Sequence, residues 1–180
     1  MKSSIDDKTE KVNSVFTKVY KKYDLMNDVM SLGTHRIWKN KFIDWMNPQL
    51  NQNLIDVASG TGDIAKIFSK KNKNSSQISC VEPNDKMYFA GKSNLVNFKN
   101  IKWYKAKAEK LPFKNDSFDF YTISYGIRNV SDINQTLKES FRVLKPGGRF
   151  MCLEFSKIEN EILKKLYKQY SKAIPFVGKY

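Results

Sequence analysis

The chain has 180 residues, of which 41 % are apolar and 28 % are charged, and its formal net charge is +14. This apolar content is enough for one domain with a sizeable core, and it argues against disorder. No run of about 18 apolar residues occurs and the first residues lack the apolar segment of a secretory signal, so the sequence predicts neither a membrane-spanning helix nor export.

The excess positive charge comes from lysine. The chain has 28 Lys and only 4 Arg, together with 16 Asn. Proteins that bind nucleic acids favour clusters of Arg and interleaved aromatic side chains, and the sequence has neither feature. The composition therefore predicts a solvated lysine surface and no nucleic-acid partner, with a weak attraction to anionic lipid as the alternative.

The two cysteines, Cys80 and Cys152, both lie in apolar, strand-like runs. No Cys-x-x-Cys motif and no Cys/His cluster occurs in the sequence, so no metal site is predicted. We expect both residues to be buried free thiols in a reducing compartment.

Residues 1–50 are predicted to be helical. The first helix is indicated by apolar residues at helical spacing: Val12, Val15, Phe16 and Val19. After a Met-rich and Leu-rich segment at 23–33, Thr34 is predicted to cap a second helix that ends before Pro48. One side of this second helix is predicted to carry Trp38, Phe42, Trp45 and Met46. We expect residues 12–46 to form a lid over the rest of the domain, or to pack against it as ordinary core.

From residue 51 the pattern changes to alternating strands and helices. Strands are predicted at 54–58, 78–81, 101–106, 118–124 and 149–155, the last one after a turn at 145–148. Helices are predicted at 64–69, at 84–92 with Asn84 as its cap, after a cap at Ser131, and at 159–172. The helix after Ser131 carries the apolar residues Ile133, Leu137, Phe141 and Leu144. The alternation predicts right-handed βαβ units in a single α/β domain at 1–180, with a mostly parallel sheet between helices.

A glycine-rich turn joins the first predicted strand to the helix at 64–69. It reads Asp56-Val-Ala-Ser-Gly60-Thr-Gly62-Asp63, and its glycines allow a tight turn and close approach of a ligand. Glu82 follows at the end of the next strand, where a carboxylate can accept hydrogen bonds from both hydroxyls of a ribose. The turn and the acid together predict a nucleoside ligand at the carboxyl edge of the sheet. The alternative is a structural turn with a solvated glutamate.

The turn does not match the dinucleotide fingerprint G-x-G-x-x-G, and no P-loop Lys follows it. Its form resembles the first motif of class I S-adenosylmethionine-dependent methyltransferases, with Ala58 where many members have glycine. The segment at 116–120 is similar to the one that leads into the fourth strand of that fold, and the segment at 144–148 is similar to the turn before its fifth strand. The resemblance implies a Rossmann-like class I methyltransferase with S-adenosyl-L-methionine as cofactor.

Longer segments resemble one family within this class, the ubiquinone/menaquinone biosynthesis C-methyltransferases. These segments are residues 23–39, 122–130 and 142–156, and the similarity runs from about residue 12 to the C-terminus. It implies methylation of a ring carbon of a polyprenyl benzoquinol or of demethylmenaquinol. It also implies a cytoplasmic location peripheral to the inner membrane, or a mitochondrial matrix, and a homodimer or a quinone-biosynthesis complex. We expect the last two of the family's seven strands to be absent, which would leave the fifth strand at an edge.

The resemblance assigns cofactor-binding positions residue by residue: Asp56, Gly60, Thr61 and Gly62 in the turn, Glu82 at the ribose, Lys107 and Ala108 beside the adenine, and Ser124 near the methionine portion. Lys107 departs from the family, where Asp or Asn is usual, and an ammonium group cannot accept a hydrogen bond from the adenine amino group. We expect weaker selection for adenine, compensated by Glu109.

Three side chains are candidates for the catalytic step. His35 is the only histidine and can act as a general base near neutral pH, or it is a satisfied structural residue. Tyr125 and Arg128 follow the fourth strand, and Arg128 either stabilises a phenolate or forms a surface ion pair. The alternatives to a quinol methyltransferase are a methyltransferase with another small acceptor, an RNA methyltransferase and a catalytically inactive scaffold.

Overall fold

The computed structural model describes residues 27–29, 31, 33–156, 159 and 161. The predicted helix around residues 12–19 and nearly all of the one at 159–172 lie outside these residues. Within the part of the chain that the structure describes, no helix is long and apolar enough to cross a membrane.

In the described part of the chain, five parallel strands form one sheet in the order β3-β2-β1-β4-β5. Their bounds are β1 Leu54–Val57, β2 Ile78–Val81, β3 Ile101–Tyr104, β4 Phe118–Ser124 and β5 Leu144–Leu153. The strand order reverses between β1 and β4, and open α/β sheets bind ligands beyond the carboxyl ends of the strands at such a point. The predicted parallel sheet is confirmed.

The turn predicted at 145–148 lies inside β5. Leu144 pairs with Phe118 and Arg149 pairs with Phe120, so the register shifts between these two pairs. Gly147 lies within this irregularity and adopts a left-handed φ of +78°. The sequence signal for a bend was correct, but the bend is a bulge in the strand rather than a turn before it.

Among the described residues, four α-helices flank the sheet: α1 Thr34–Met46, α2 Asp63–Lys71, α3 Asp85–Asn94 and α4 Ile133–Val143. Two groups of apolar side chains cover the two faces of the sheet. Phe42, Ile43 and Phe68 belong to one group, and Tyr121 and Val143 belong to the other. Because both faces are covered, the side chains of β1 and β2 are buried along their whole length.

One predicted helix cap is confirmed and two are wrong. The Asn84 side chain accepts a hydrogen bond from the Met87 N–H at 3.1 Å and caps α3. Helix α1 instead begins after Gly33, so Thr34 is its first residue. Helix α4 is capped by Asp132 rather than by Ser131. Each error is one residue, because neighbouring polar residues offer equivalent acceptors.

The apolar residues that the sequence places on α1 and α4 are only partly buried. Helix α1 buries Phe42 and Met46, but Trp45 is 82 % exposed and Trp38 is partly exposed. In α4 the apolar residues Ile133, Leu137 and Phe141 are exposed. The face of α4 that packs on the domain is formed by Thr136, Glu139, Ser140 and Val143.

The prediction for the cysteines holds for one of the two. Both are free thiols, but only Cys80 is buried, whereas Cys152 is exposed. Cys80 lies in β2, which has neighbours on both sides. Cys152 lies in β5, which forms an edge of the described sheet, so its side chain is less covered.

Candidate cofactor and active site

Glu82 holds the glycine-rich loop in place at the carboxyl edge of the sheet. One of its carboxylate oxygens accepts a hydrogen bond from the Gly60 N–H at 2.9 Å, and the other accepts one from the Asn84 N–H at 2.9 Å. Burial raises the pKa of Glu82, and these two N–H donors oppose the rise because they favour the charged form. The loop after β1 and the acid after β2 therefore meet, as their spacing in the sequence predicts.

The loop depends on backbone conformations that favour glycine. Gly60 and Gly62 have φ values of +57° and +88°. A Cβ atom at Gly62 would lie 2.5 Å from a methyl carbon of Leu95 and 3.1 Å from the Trp103 ring. The loop is therefore packed closely between α3 and β3, and side chains are excluded from its inner surface.

The same left-handed conformation recurs at the ends of the two central strands, at residues other than glycine. Ala58 after β1 has φ +54° and Tyr125 after β4 has φ +55°. Between them, a Cβ atom at Gly126 would lie only 2.7 Å from the Ala58 Cβ. Two adjacent strands thus end in sharp turns that face each other across the switch point, which is the place between β1 and β4 where the strand order reverses.

Asp56 is a buried carboxyl group with one unused oxygen. Its Oδ1 accepts a hydrogen bond from the Thr122 hydroxyl at 2.8 Å, whereas its Oδ2 is buried without a partner among the described residues. Burial raises the pKa of Asp56 to about 7, although the hydrogen bond from Thr122 opposes the rise. An unpartnered carboxyl oxygen in such a position is suited to accept a hydrogen bond from a ligand.

Asp56 faces a small cavity of about 30 Å³ at the switch point. The residues that line it come from α1, from the loop between β1 and α2, and from the end of β4: Lys39, Asp56, Ala58, Ser59, Gly60, Thr61, Asp63, Ile64, Ser124 and Tyr125. The structure therefore brings together four of the predicted cofactor-binding residues, Asp56, Gly60, Thr61 and Ser124. The Ser124 hydroxyl, like Asp56 Oδ2, has no partner among the described residues.

Sequence reasoning missed an ion pair at this cavity. The Lys39 ammonium lies 2.7 Å from the Asp63 carboxylate, and Lys39 is only 7 % exposed. The two residues are 24 positions apart and belong to different helices. No local pattern marks Lys39, because the chain has many lysines and most of those that the structure describes are exposed.

The predicted adenine-binding segment lies after β3. Lys107 is exposed and Ala108 is buried, and neither lines the small cavity. The Glu109 carboxylate accepts hydrogen bonds from the backbone N–H groups of Ser131 at 2.6 Å and Asp132 at 3.1 Å. Glu109 therefore stabilises the start of α4 in this structure, and its role in compensating for Lys107 stays a prediction.

His35 is buried at the start of α1 and does not line the small cavity. Its Nδ1 lies 2.8 Å from the Ser31 hydroxyl oxygen and 3.7 Å from an Asp28 carboxylate oxygen. Burial lowers the pKa of His35, the Lys39 charge adds to this effect and Asp28 opposes it. The imidazole therefore favours its neutral form.

An aromatic row runs from the small cavity towards α1. The Tyr125 ring, which lines the cavity, stacks on Phe155 at a centroid distance of 4.6 Å, and Trp38 meets Phe155 edge-on at 6.3 Å. The Arg128 guanidinium lies 5.6 Å from the centre of the Phe155 ring and forms an ion pair with Glu154. Of the three catalytic candidates, Tyr125 thus lines the cavity and Arg128 lies beside its aromatic neighbour.

A groove of about 1140 Å³ lies between α1 and β5. Most of its surface is apolar, and it is lined by Trp38, Lys41, Phe42, Asp44, Trp45, Gly148, Arg149, Phe150, Met151, Cys152 and Leu153. Trp38 belongs both to this groove and to the aromatic row. The row therefore connects the groove with the small cavity.

Residues 4–180 match the model of the ubiE/COQ5 methyltransferase family. The chain belongs to this family. A ubiquinone/menaquinone biosynthesis C-methyltransferase UbiE from Rickettsia bellii is 51 % identical over 185 residues, which cover 99 % of this chain and 74 % of that protein. The protein of the same name from Rickettsia typhi is 52 % identical over 174 residues, which cover 93 % of this chain and 70 % of that protein.

Solved methyltransferase structures share the fold of this ubiE/COQ5-family chain. A putative S-adenosyl-L-methionine-dependent methyltransferase from Methanococcus maripaludis aligns with a TM-score of 0.67 at 17 % identity, over 88 % of this chain and 70 % of that one. A SAM-dependent methyltransferase from Aquifex aeolicus aligns with a TM-score of 0.63 at 19 % identity, over 68 % of this chain and 66 % of that one. The predicted class I fold is therefore confirmed.

This ubiE/COQ5-family methyltransferase uses S-adenosyl-L-methionine as its cofactor, and the residues at the switch point fit that molecule. The loop leaves no room for a side chain at Gly62, where it packs against Leu95 and Trp103. Beside it, Asp56 and Ser124 offer polar atoms that have no partner among the described residues. The donors and acceptors needed for a polar, nucleoside-bearing ligand are therefore in place.

Proposed function

We propose that this chain transfers the methyl group of S-adenosyl-L-methionine to a ring carbon of a polyprenyl benzoquinol or of demethylmenaquinol. The observation that carries the proposal is the aromatic row of Tyr125, Phe155 and Trp38, which joins the small polar cavity to the large apolar groove. A quinol with an isoprenoid tail has a planar ring, which suits the aromatic row beside the cofactor cavity, and a long apolar chain, which suits the groove. The names of the curated relatives, which refer to ubiquinone and menaquinone biosynthesis, support the same substrate class.

On the cofactor side, Glu82 would hold the ribose hydroxyls. Each of its oxygens accepts one backbone N–H, so each retains a lone pair for a further hydrogen bond. Thr61 would contact the cofactor at the loop, Ser124 would lie near the methionine portion, and Lys107 with Ala108 would flank the adenine. The cofactor supplies an electrophilic methyl group on a positively charged sulfur.

On the acceptor side, the protein's task is to orient the quinol ring and to favour its deprotonated form. Tyr125 and Phe155 present a flat surface on which the ring can stack. The Arg128 charge lies at the edge of this surface and would stabilise a phenolate oxygen, while Glu154 holds the guanidinium in place. Correct orientation of this kind supplies roughly 7–11 kcal/mol in favourable cases. His35 stays a candidate base that would act only after a rearrangement, since it lies away from the cavity.

The apolar tail would lie in the groove between α1 and β5, where Trp45 and Phe150 are partly or largely exposed. The lysine-bearing face of the predicted N-terminal helix would contact anionic lipid, where such a quinol resides. Sedimentation with vesicles tests this contact: a lack of preference for anionic over neutral lipid contradicts it. A homodimer or a larger quinone-biosynthesis complex stays a prediction.

The experiment that tests the function measures methyl transfer from labelled S-adenosylmethionine to demethylated benzoquinol and naphthoquinol substrates, with tRNA as a comparison. We expect label in one or both quinols and none in tRNA. Glu82→Gln should bind the cofactor less tightly, which calorimetry measures separately from turnover. Cofactor binding without quinol methylation would favour another small acceptor, whereas absence of cofactor binding would favour an inactive scaffold.

A further inference from the structure

Two side chains of opposite charge type, Lys39 and Asp56, line the small cavity of about 30 Å³. Lys39 reaches it from α1, and Asp56 lies at its base in β1. Both are almost fully buried, at 7 % and 1 % exposure. Buried charged groups are rare unless they are paired or serve a ligand, so this arrangement requires an explanation.

The known partners of these two groups leave hydrogen-bonding capacity unused. An ammonium group has three N–H donors, and the Asp63 carboxylate takes one from Lys39 at 2.7 Å. Asp56 uses Oδ1 for the Thr122 hydroxyl, and its Oδ2 has no partner within the described part of the chain. The cavity is therefore lined by both N–H donors and a carboxyl acceptor that can serve a ligand.

This pattern is complementary to the headgroup of an α-amino acid, which carries a carboxylate and an ammonium group on one carbon. Asp63 begins α2, so its neighbouring backbone N–H groups lie at the positive end of that helix. A carboxylate near this helix end and Lys39 would be stabilised by both. An ammonium group would be stabilised by Asp56, which would then be favoured in its charged form.

We propose that Lys39, held by Asp63, binds the carboxylate of the methionine portion of S-adenosylmethionine and so sets the position of the sulfur that carries the methyl group. Lys39 is a positioning residue in this proposal, and Asp56 orients the amino group of the same headgroup. Lys39 lies in α1, which is part of the predicted lid segment at 12–46, so the same contact ties that segment to the bound cofactor. The proposal rests on the cofactor that we assign but not on the identity of the methyl acceptor.

The test compares three ligands. They are S-adenosylmethionine, its decarboxylated analogue, which lacks only the carboxylate, and methylthioadenosine, which lacks the whole aminocarboxypropyl chain and the positive charge on sulfur. Calorimetry without any methyl acceptor gives Kd values for the wild type, for Lys39→Gln and for Lys70→Gln, which changes an exposed lysine of α2. We expect Lys39→Gln to weaken the binding of S-adenosylmethionine by about 10- to 100-fold, which corresponds to the loss of a charge-assisted hydrogen bond. The Kd values of the other two ligands should change less than about 2-fold in Lys39→Gln on the same reasoning, and Lys70→Gln should leave all three Kd values unchanged.

Equal weakening of all three ligands by Lys39→Gln would mean that Lys39 only fastens α1 to the domain, and it would overturn the proposal. An unchanged Kd for S-adenosylmethionine would overturn it as well. If Lys39→Gln does not fold, Lys39→Met provides the test, because it keeps an apolar stem of similar length, removes only the charge, and should lower the preference for S-adenosylmethionine over its decarboxylated analogue. A wild-type protein that binds none of the three ligands would refute the cofactor assignment itself, and the proposal with it.

Discussion

The replacement of Gly91 by Ala tests how closely helix α3 packs on the glycine loop. A Cβ atom at this position would overlap the Trp103 ring, with 2.8 Å to Cζ2, and would lie 2.9 Å from the Gly60 carbonyl oxygen. Both distances are shorter than ordinary van der Waals contacts of a methyl group. The carbonyl belongs to the backbone of the loop and cannot rotate away.

Two effects of opposite sign decide the outcome. Alanine is favoured over glycine in a helix interior by about 1 kcal/mol. Overpacking a tight contact costs typically about 1–3 kcal/mol, and we expect the upper part of this range because Trp103 is also packed against Tyr88 and beside Gly62. The net expectation is a loss of about 1–2 kcal/mol in the free energy of unfolding.

Urea unfolding measures this loss, with Ser93→Ala as the matched control at an exposed position of the same helix. The double variant Gly91→Ala/Trp103→Phe should recover part of the loss, because phenylalanine lacks the ring atoms that the new methyl group would meet. A Gly91→Ala protein as stable as the wild type would refute the reasoning. So would additive effects of the two substitutions, since contacting residues should be coupled.

Three further predictions concern ionisable groups. Glu139→Gln should reduce the free energy of unfolding at pH 7 by about 1.5–3 kcal/mol, because the carboxylate binds Arg142 at 2.7 Å. Arg142 lowers the pKa of Glu139, so the difference between wild type and variant should disappear in unfolding experiments as the pH falls below about 4. Burial raises the pKa of Asp56 to about 7, so the free energy of unfolding of the wild type should fall by on the order of 4 kcal/mol as the pH rises from about 4 to about 7. Asp56→Asn should lack this pH dependence. A thiol reagent should modify Cys152 in the native protein and Cys80 only after unfolding, and mass spectrometry that finds equal labelling would contradict the described burial.

Features that depend on neighbouring residues were predicted well from the sequence. The bounds of β2 at 78–81 and the cap at Asn84 match the structure, because an apolar run and a polar residue before a helix act within a few positions. The meeting of Gly60 with Glu82 was also predictable, since consecutive parallel strands place their carboxyl ends at one edge.

Features that depend on distant partners were not predictable in the same way. The apolar residues of α4 at helical spacing suggested a buried face, yet Phe141 is exposed and Glu139 faces the domain. The reason is that Glu139 and Arg142 hydrogen-bond the backbone of the segment at 111–113, which lies about 30 residues away. Lys39 was missed for the same reason, because its burial against Asp63 of another helix is what distinguishes it from the other described lysines.

The contact between Ala58 and Gly126 at the ends of β1 and β4 restricts which sequences this site can accept. The Ala58 methyl group fills the space that a side chain at position 126 would need. Positions 58 and 126 therefore cannot both carry a methyl group. A library that varies both positions should yield folded proteins only when at least one of them is glycine. Anyone redesigning the entrance to the cofactor cavity must vary the two positions jointly.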